Sequence, residues 1–211
     1  MEHTSSAIDT KSRRLPISAR ALGDSTQNDL QNGVCKDVTV LFARGTTEAG
    51  NMGTVAGPPF VQAIGQMMGA QNVAVQGIDY PADIPGFLAG GDAEGSALMA
   101  QMVGMAMQTC PQTKLVMAGY SQGGQLVHNA ASMLSADETA FVNSAVIFGD
   151  PNEGDPVGNV PAAKTNVICH TGDAICQGTS LVLPPHLTYG MDANDAAAFV
   201  ATQAGAAAGT A

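Results

Sequence analysis

From residue 35 onward, apolar runs alternate with polar, glycine-rich breaks. Asp37–Ala43 (DVTVLFA) is a short apolar run with β-branched residues and predicts a buried strand. After a Gly-rich turn, Pro59–Met68 carries apolar positions at helical spacing. A strand over Asn72–Ile78, a loop through Pro81 and Pro85, and a helix over Ala93–Gln108 follow. Lys114–Ala118 predicts a strand that leads through Ser121 into a helix ending near Leu134. Two more strands are expected over Ala145–Phe148, closed by Gly149-Asp150-Pro151, and Thr165–Cys169. A last helix spans Asn194–Ala204, and the Ala/Gly-rich tail beyond it is expected to fray.

Strands and helices alternating at this spacing pair in parallel through right-handed crossovers. The expected fold class is therefore α/β, a five-stranded parallel sheet with helices on both faces, in one catalytic domain over 31–211. Residues 1–30 are polar and include the stretch Lys11-Ser12-Arg13-Arg14. They read as an N-terminal tail left from a pro-segment, because no apolar h-region follows Met1.

Composition narrows the function. In 211 residues, 45% hydrophobic and 12% charged describe a chain with a packed core, not a disordered one. No window holds 18 consecutive apolar residues, so no transmembrane helix is expected. The formal net charge is −10, and four of the eight bases lie in the first 20 residues. The body sets the other four bases against 16 acids. Phosphate backbones and anionic membranes repel such a body, which argues against nucleic-acid partners. Cys35, Cys110, Cys169 and Cys176 show neither CxxC nor zinc spacing. An even count in an acidic, Lys-poor chain points to two disulfides and a secreted protein. No metal or cofactor is implied.

The candidate chemistry centres on Gly119-Tyr120-Ser121-Gln122-Gly123, a G-x-S-x-G nucleophile elbow between an apolar strand and a helix. A serine hydroxyl needs a base to attack at neutral pH. Among the four histidines, His3 lies in the tail, and His128 sits about 10 Å down the elbow helix at 1.5 Å per residue, as a surface or packing residue. His170 precedes every plausible acid near it, whereas His186, in a Pro-flanked loop, fits the chain order Ser, acid, His. Asp173 is the expected acid: a bridge between the flanking Cys169 and Cys176 would hold its carboxylate rigidly. Asp150, also at a strand end, is the alternative, although Gly-Asp-Pro reads more simply as a turn.

These motifs resemble the fungal cutinases. The resemblance rests on Gly119–Gly123, on Arg44-Gly-Thr-Thr-Glu48-Ala-Gly-Asn-Met-Gly53, and on the ordered set Cys169, Asp173, Cys176 and His186-Leu-Thr-Tyr189-Gly190. It covers residues 33–205 and implies a minimal α/β-hydrolase fold. It also implies a Ser121–His186–Asp173 triad, disulfides Cys35–Cys110 and Cys169–Cys176, and an oxyanion hole from Thr46 and the backbone N–H of Gln122. The chain departs from the family pattern at Gly124, where Ala is common, and at His170, where Asn is usual. The stretch Tyr80–Gly91 looks like the cutinase-like esterase branch.

The expected activity is a secreted, monomeric serine esterase acting on cutin and other aliphatic polyesters. The elements fill the chain and leave no room for a helical lid. Two apolar loops are expected to flank an open site that suits an insoluble ester: one with Tyr80, Ile84 and Phe87, the other with Leu181, Val182, Leu183 and Leu187. The nearest rival is acetylxylan esterase, which can share the pentapeptide, but sugar sites favour aromatic platforms and this chain has no Trp, three Tyr and six Phe. A catalytically inert lipid- or wax-binding protein on the same fold is a rival of another class.

Overall fold

The computed structural model describes residues 21–205. Five strands form one sheet in the order β2-β1-β3-β4-β5, all parallel. They are β1 (Val38–Ala43), β2 (Val73–Gly77), β3 (Lys114–Tyr120), β4 (Val142–Phe148) and β5 (Thr165–Ile168). Six α-helices accompany them: α1 (Gly57–Met68), α2 (Ile84–Leu88), α3 (Ala93–Thr109), α4 (Gln122–Met133), α5 (Ala136–Phe141) and α6 (Ala193–Gln203). The expected three-layer α/β architecture, a minimal α/β-hydrolase, is borne out.

The strands read as unbroken apolar runs because both sheet faces are covered. Side chains alternate along β1. Val38, Val40 and Phe42 join a core with Phe60, Ile64, Phe148 and Val200, under α1 and α6. Leu41 and Ala43 join Met99, Met102, Leu126 and Ile147 on the opposite face, under α3 and α4. In a chain with no Trp, buried Met99, Met102 and Met117 fill much of this second layer.

Several boundaries differ from expectation. The loop through Pro81 and Pro85 contains α2, capped by the Asp83 carboxylate, which accepts from the Gly86 N–H at 2.8 Å. Pro85 sits in the first turn, where its missing N–H costs nothing. Helix α5 was not anticipated, although Ser135 and Glu138 form a capping box at its start. Strand β4 begins at Val142, not Ala145, and carries Asn143 and Ser144 inside it. Asn143 donates to the Gln203 carbonyl at 3.1 Å. The expected tail also ends earlier. Gln27 and Leu30 are buried, and the Asp29 N–H donates to the Val75 carbonyl at the β2 edge. The basic stretch at 11–14 and the Ala/Gly-rich terminus lie outside the described residues.

The cysteines pair as Cys35–Cys110 and Cys169–Cys176. The first joins the approach to β1 to the end of α3 across 75 residues of sequence. Closing so long a loop stabilises by about 4 kcal/mol, chiefly by restricting the unfolded chain. Replacing both Cys35 and Cys110 by Ser is expected to lower the unfolding free energy by about that amount in a denaturant titration. The hydrolytic activity expected of the Ser121 motif should be unchanged in the folded fraction, because this bridge lies at the sheet end opposite Ser121.

Candidate active site

Ser121 sits where β3 turns into α4, with φ 56° and ψ −120°. That backbone is left-handed and strained for a non-glycine residue, and it lifts the side chain clear of the sheet. The turn closes only because its neighbours are glycines. A Cβ on Gly123 would lie 1.9 Å from the Ala43 carbonyl oxygen, and one on Gly119 would lie 2.2 Å from that of Gly123. The Ser121 N–H donates to the Phe148 carbonyl, fastening the elbow to the end of β4.

His186 Nε2 lies 2.9 Å from Ser121 Oγ, and His186 Nδ1 lies 2.7 Å from Asp173 Oδ2. All three residues are buried, with Ser121 the most open at 6% exposure. Asp173, not Asp150, therefore meets the imidazole. Its carboxylate also accepts from the Tyr189 hydroxyl at 2.6 Å and from the Ile175 N–H at 3.0 Å. Burial pushes the Asp173 pKa up, but the Tyr189 and His186 hydrogen bonds and the His186 charge outweigh it, and the net shift is downward. The Cys169–Cys176 bridge closes the loop that carries it.

The imidazole is held from behind as well. Tyr120 donates its hydroxyl to the His186 carbonyl at 2.7 Å, and the two rings stack with centroids 5.0 Å apart. Gly149, at φ 57°, leaves the space this needs, since a Cβ there would come within 2.8 Å of His186 Cε1. Gly149, Tyr120 and Tyr189 were not singled out by sequence reasoning for this role. The nearest signal was the expected turn at Gly149-Asp150-Pro151.

Thr46 and Gln122 are brought together beside Ser121. Gln122 Nε2 donates to Thr46 Oγ1 and to the Asp83 carbonyl, both at 2.8 Å. The Thr46 hydroxyl is thus an acceptor on one side, which leaves its own proton free to donate toward the cleft. Gln122 opens α4, so its backbone N–H has no acceptor within the helix, and the positive end of the helix dipole faces the same point. Glu48 holds the Thr46 loop in shape, accepting from the N–H groups of Gly45, Thr54 and Val55 at 2.8–2.9 Å.

A cleft of about 510 Å³ opens above Ser121. Ile84, Phe87, Val182 and Leu187 line it as expected, joined by Val55, Leu88 and Ile175. Leu181 is exposed near the mouth but does not line the cleft. Tyr80 is a correction. It is 5% exposed, donates to the Arg44 carbonyl, and has the Arg44 guanidinium 4.9 Å over its ring, so it packs beneath the loop and not in the cleft. Among the described residues, the metal-ligand-type grouping Glu153, Cys169 and Cys176 has both sulfurs in a disulfide and offers no thiolate.

Of the two readings of His128, surface or packing, the structure shows the second, since it is buried. Its Nε2 lies 2.9 Å from Asp150 Oδ2 and its Nδ1 lies 3.2 Å from the Pro156 carbonyl. Asp150 therefore pairs with the elbow helix.

The sequence model of the cutinase family matches residues 34–204. A cutinase of Botryotinia fuckeliana is 58% identical over 191 residues, covering 90% of this chain and 93% of the relative. One of Monilinia fructicola is 56% identical with the same coverage. Among solved structures, Trichoderma reesei cutinase with a C11Y4 phosphonate inhibitor superposes with TM-score 0.81 at 48% identity, over 86% of this chain and 80% of that one. An acetylxylan esterase superposes with TM-score 0.63 at 25% identity, over 81% of this chain and 99% of that one.

Burial opposes the charge on His128, but the Asp150 hydrogen bond and field and the Pro156 carbonyl outweigh it, and its pKa is raised. His128→Ala would leave Asp150 buried without its partner. It is expected to cost about 3–5 kcal/mol of unfolding free energy at pH 6, measured in urea. A raised folded-state pKa makes the contribution full below the ordinary imidazole value and lost as pH rises through the folded value. The deficit of the variant should accordingly shrink toward alkaline pH.

Proposed function

Because the chain belongs to the cutinase family and is a carboxylic ester hydrolase of the cutinase type, we propose that it hydrolyses cutin and other aliphatic polyesters as a secreted, monomeric serine esterase with Ser121, His186 and Asp173 as its triad. The observation that carries this reading is the chain of contacts from Ser121 Oγ through His186 to Asp173, 2.9 and 2.7 Å long, at the floor of an apolar cleft.

In this mechanism His186 Nε2 takes the Ser121 proton as Oγ attacks the ester carbonyl. Asp173 stays ionised and accepts the Nδ1–H hydrogen bond, which fixes the tautomer and stabilises the imidazolium that forms. The negative oxygen of the tetrahedral intermediate sits between the Thr46 hydroxyl and the Gln122 N–H, at the positive end of α4. His186 then gives its proton to the leaving alcohol, which departs and leaves an acyl-enzyme on Ser121. Water, deprotonated by the same imidazole, releases the acid.

The mouth matches an insoluble apolar ester. Ile84, Leu88, Leu181, Val182 and Leu187 are each more than half exposed around the cleft. Clustered aliphatic exposure of this kind marks a contact surface. No helical lid covers the cleft among the described residues, so a polymer chain could be gripped without being enclosed. The two disulfides fit an extracellular setting.

The test is hydrolysis of an emulsified aliphatic polyester beside acetylated xylan. The wild-type protein should cleave the polyester, and Ser121→Ala should abolish that cleavage. Acetate released from xylan with the polyester untouched would transfer the reading to acetylxylan esterase, and polyester cleavage surviving Ser121→Ala would remove the triad. Thr46→Ala should lower kcat by about 10²–10³-fold with a small change in KM, the cost of one oxyanion donor.

A further inference from the structure

His170 is the one exposed-side imidazole of the site that the mechanism leaves unused. Its Nδ1 lies 2.9 Å from the Pro185 carbonyl oxygen and its Nε2 lies 2.7 Å from Asp192 Oδ2. Both partners accept and neither can donate. A neutral imidazole carries one N–H and would turn a lone pair toward one of these oxygens, so the geometry selects the doubly protonated ring. The Thr188 hydroxyl, 3.2 Å from Nδ1, gives its own proton to the Pro185 carbonyl at 3.0 Å and so does not change the count.

The bridge spans what the site needs held. Pro185 immediately precedes His186, and Asp192 stands directly before α6, its side chain making no cap bond to that helix. The His170 ring stacks on Tyr189, centroids 4.1 Å apart, and Tyr189 donates to Asp173. The His170 backbone joins the same cluster: its N–H donates to the Tyr189 hydroxyl and its carbonyl accepts from the Asp173 N–H, both at 3.0 Å.

We propose that His170, as an imidazolium clamped between the Pro185 carbonyl and the Asp192 carboxylate, is a positioning residue that holds the His186 segment against Asp173, and that losing its proton loosens this segment and slows turnover at alkaline pH. None of its hydrogen bonds reaches Ser121 or the cleft lining, so it acts by positioning His186 and Asp173. The titratable groups facing it are Asp192, Asp173 and the Tyr189 phenol, with His186 across the Tyr189 ring. Partial burial opposes its charge, but the Pro185 carbonyl and the two carboxylates outweigh that, and its pKa is raised. The cation is therefore complete below the ordinary imidazole range and is lost as pH rises above it.

The inference rests on the Ser121–His186–Asp173 reading. Its test is the pH dependence of kcat and KM on a soluble p-nitrophenyl ester, followed by pH-stat, beside an NMR titration of the His170 ring in the full chain. Wild-type kcat should fall about tenfold on an alkaline limb whose midpoint coincides with the His170 titration, at constant KM; this is less than the ~10²-fold that a 1 Å misplacement can cost. His170→Gln should sit on the low plateau throughout, and Asp192→Asn should move limb and ring titration together to lower pH. A wild-type kcat that stays flat through the ring titration, or a limb that persists in His170→Gln, would overturn the proposal. If His170→Gln does not fold, as judged by circular dichroism, the coincidence in wild type and Asp192→Asn decides alone. Activity that survives Ser121→Ala sinks the triad reading, whereas Ser121-dependent activity without the limb sinks only this inference.

Discussion

The left-handed backbone at Ser121 is the constraint around which the rest of the molecule is arranged. Such a conformation costs an L-residue about 1–2 kcal/mol and persists only where surrounding packing leaves no alternative. Here β3 is buried from Leu115 to Tyr120 and α4 is buried through its first turns, so neither can shift to relax the turn. Gly119 and Gly123 let strand, turn and helix approach within distances that side chains would forbid. The same turn points the first N–H of α4 at the space in front of Oγ. The proposed nucleophile and the proposed oxyanion donor would thereby be two aspects of one backbone geometry.

Three imidazole–carboxylate pairs surround this turn, and what separates them is the partner of the second ring nitrogen. His128 reaches Asp150 and the Pro156 carbonyl, and His170 reaches Asp192 and the Pro185 carbonyl. Both are held between two acceptors, an arrangement that favours the cation. His186 sets a hydroxyl, Ser121 Oγ, opposite its carboxylate, whereas the Thr188 hydroxyl near His170 Nδ1 gives its proton to the Pro185 carbonyl. A hydroxyl can give a proton to a neutral ring, which is the property a general base needs. The distinction between a ring held toward its cationic form and the proposed base thus follows from the partners of the second ring nitrogen.

The Gln122 side chain couples the proposed oxyanion region to the mouth. Its amide joins Thr46 on the β1–α1 loop to the Asp83 carbonyl just before α2. Helix α2 carries Ile84, Phe87 and Leu88 to the cleft. The loop that would hold the oxyanion and the helix that would grip the acyl chain therefore share one amide, and a shift in either is felt at the other. Glu48 fixes the far side of the Thr46 loop through three backbone N–H groups, so little of this region is free to drift.

How much of this could be read in the sequence depends on the range of the interaction. The parallel sheet was legible because strands buried on two faces are apolar throughout, and the elbow was legible because its glycines and flanking elements are contiguous. Asp173 could be preferred over Asp150 on the rigidity of a short cysteine loop, but the structure adds the decisive contact, His128 already holding Asp150 from twenty-two residues away. Tyr80 misled because an aromatic in a Pro-rich loop reads as exposed, whereas the Arg44 guanidinium and carbonyl draw it inward. Helix α5 was missed although its capping box was in plain view, because six residues are too few for an apolar period to register. Gly149 and Tyr189 act on His186 and Asp173 across chain separations that no local pattern reports. Interactions between sequence neighbours leave a pattern in the chain, whereas contacts made by folding the chain back on itself leave only residue types, each compatible with several partners.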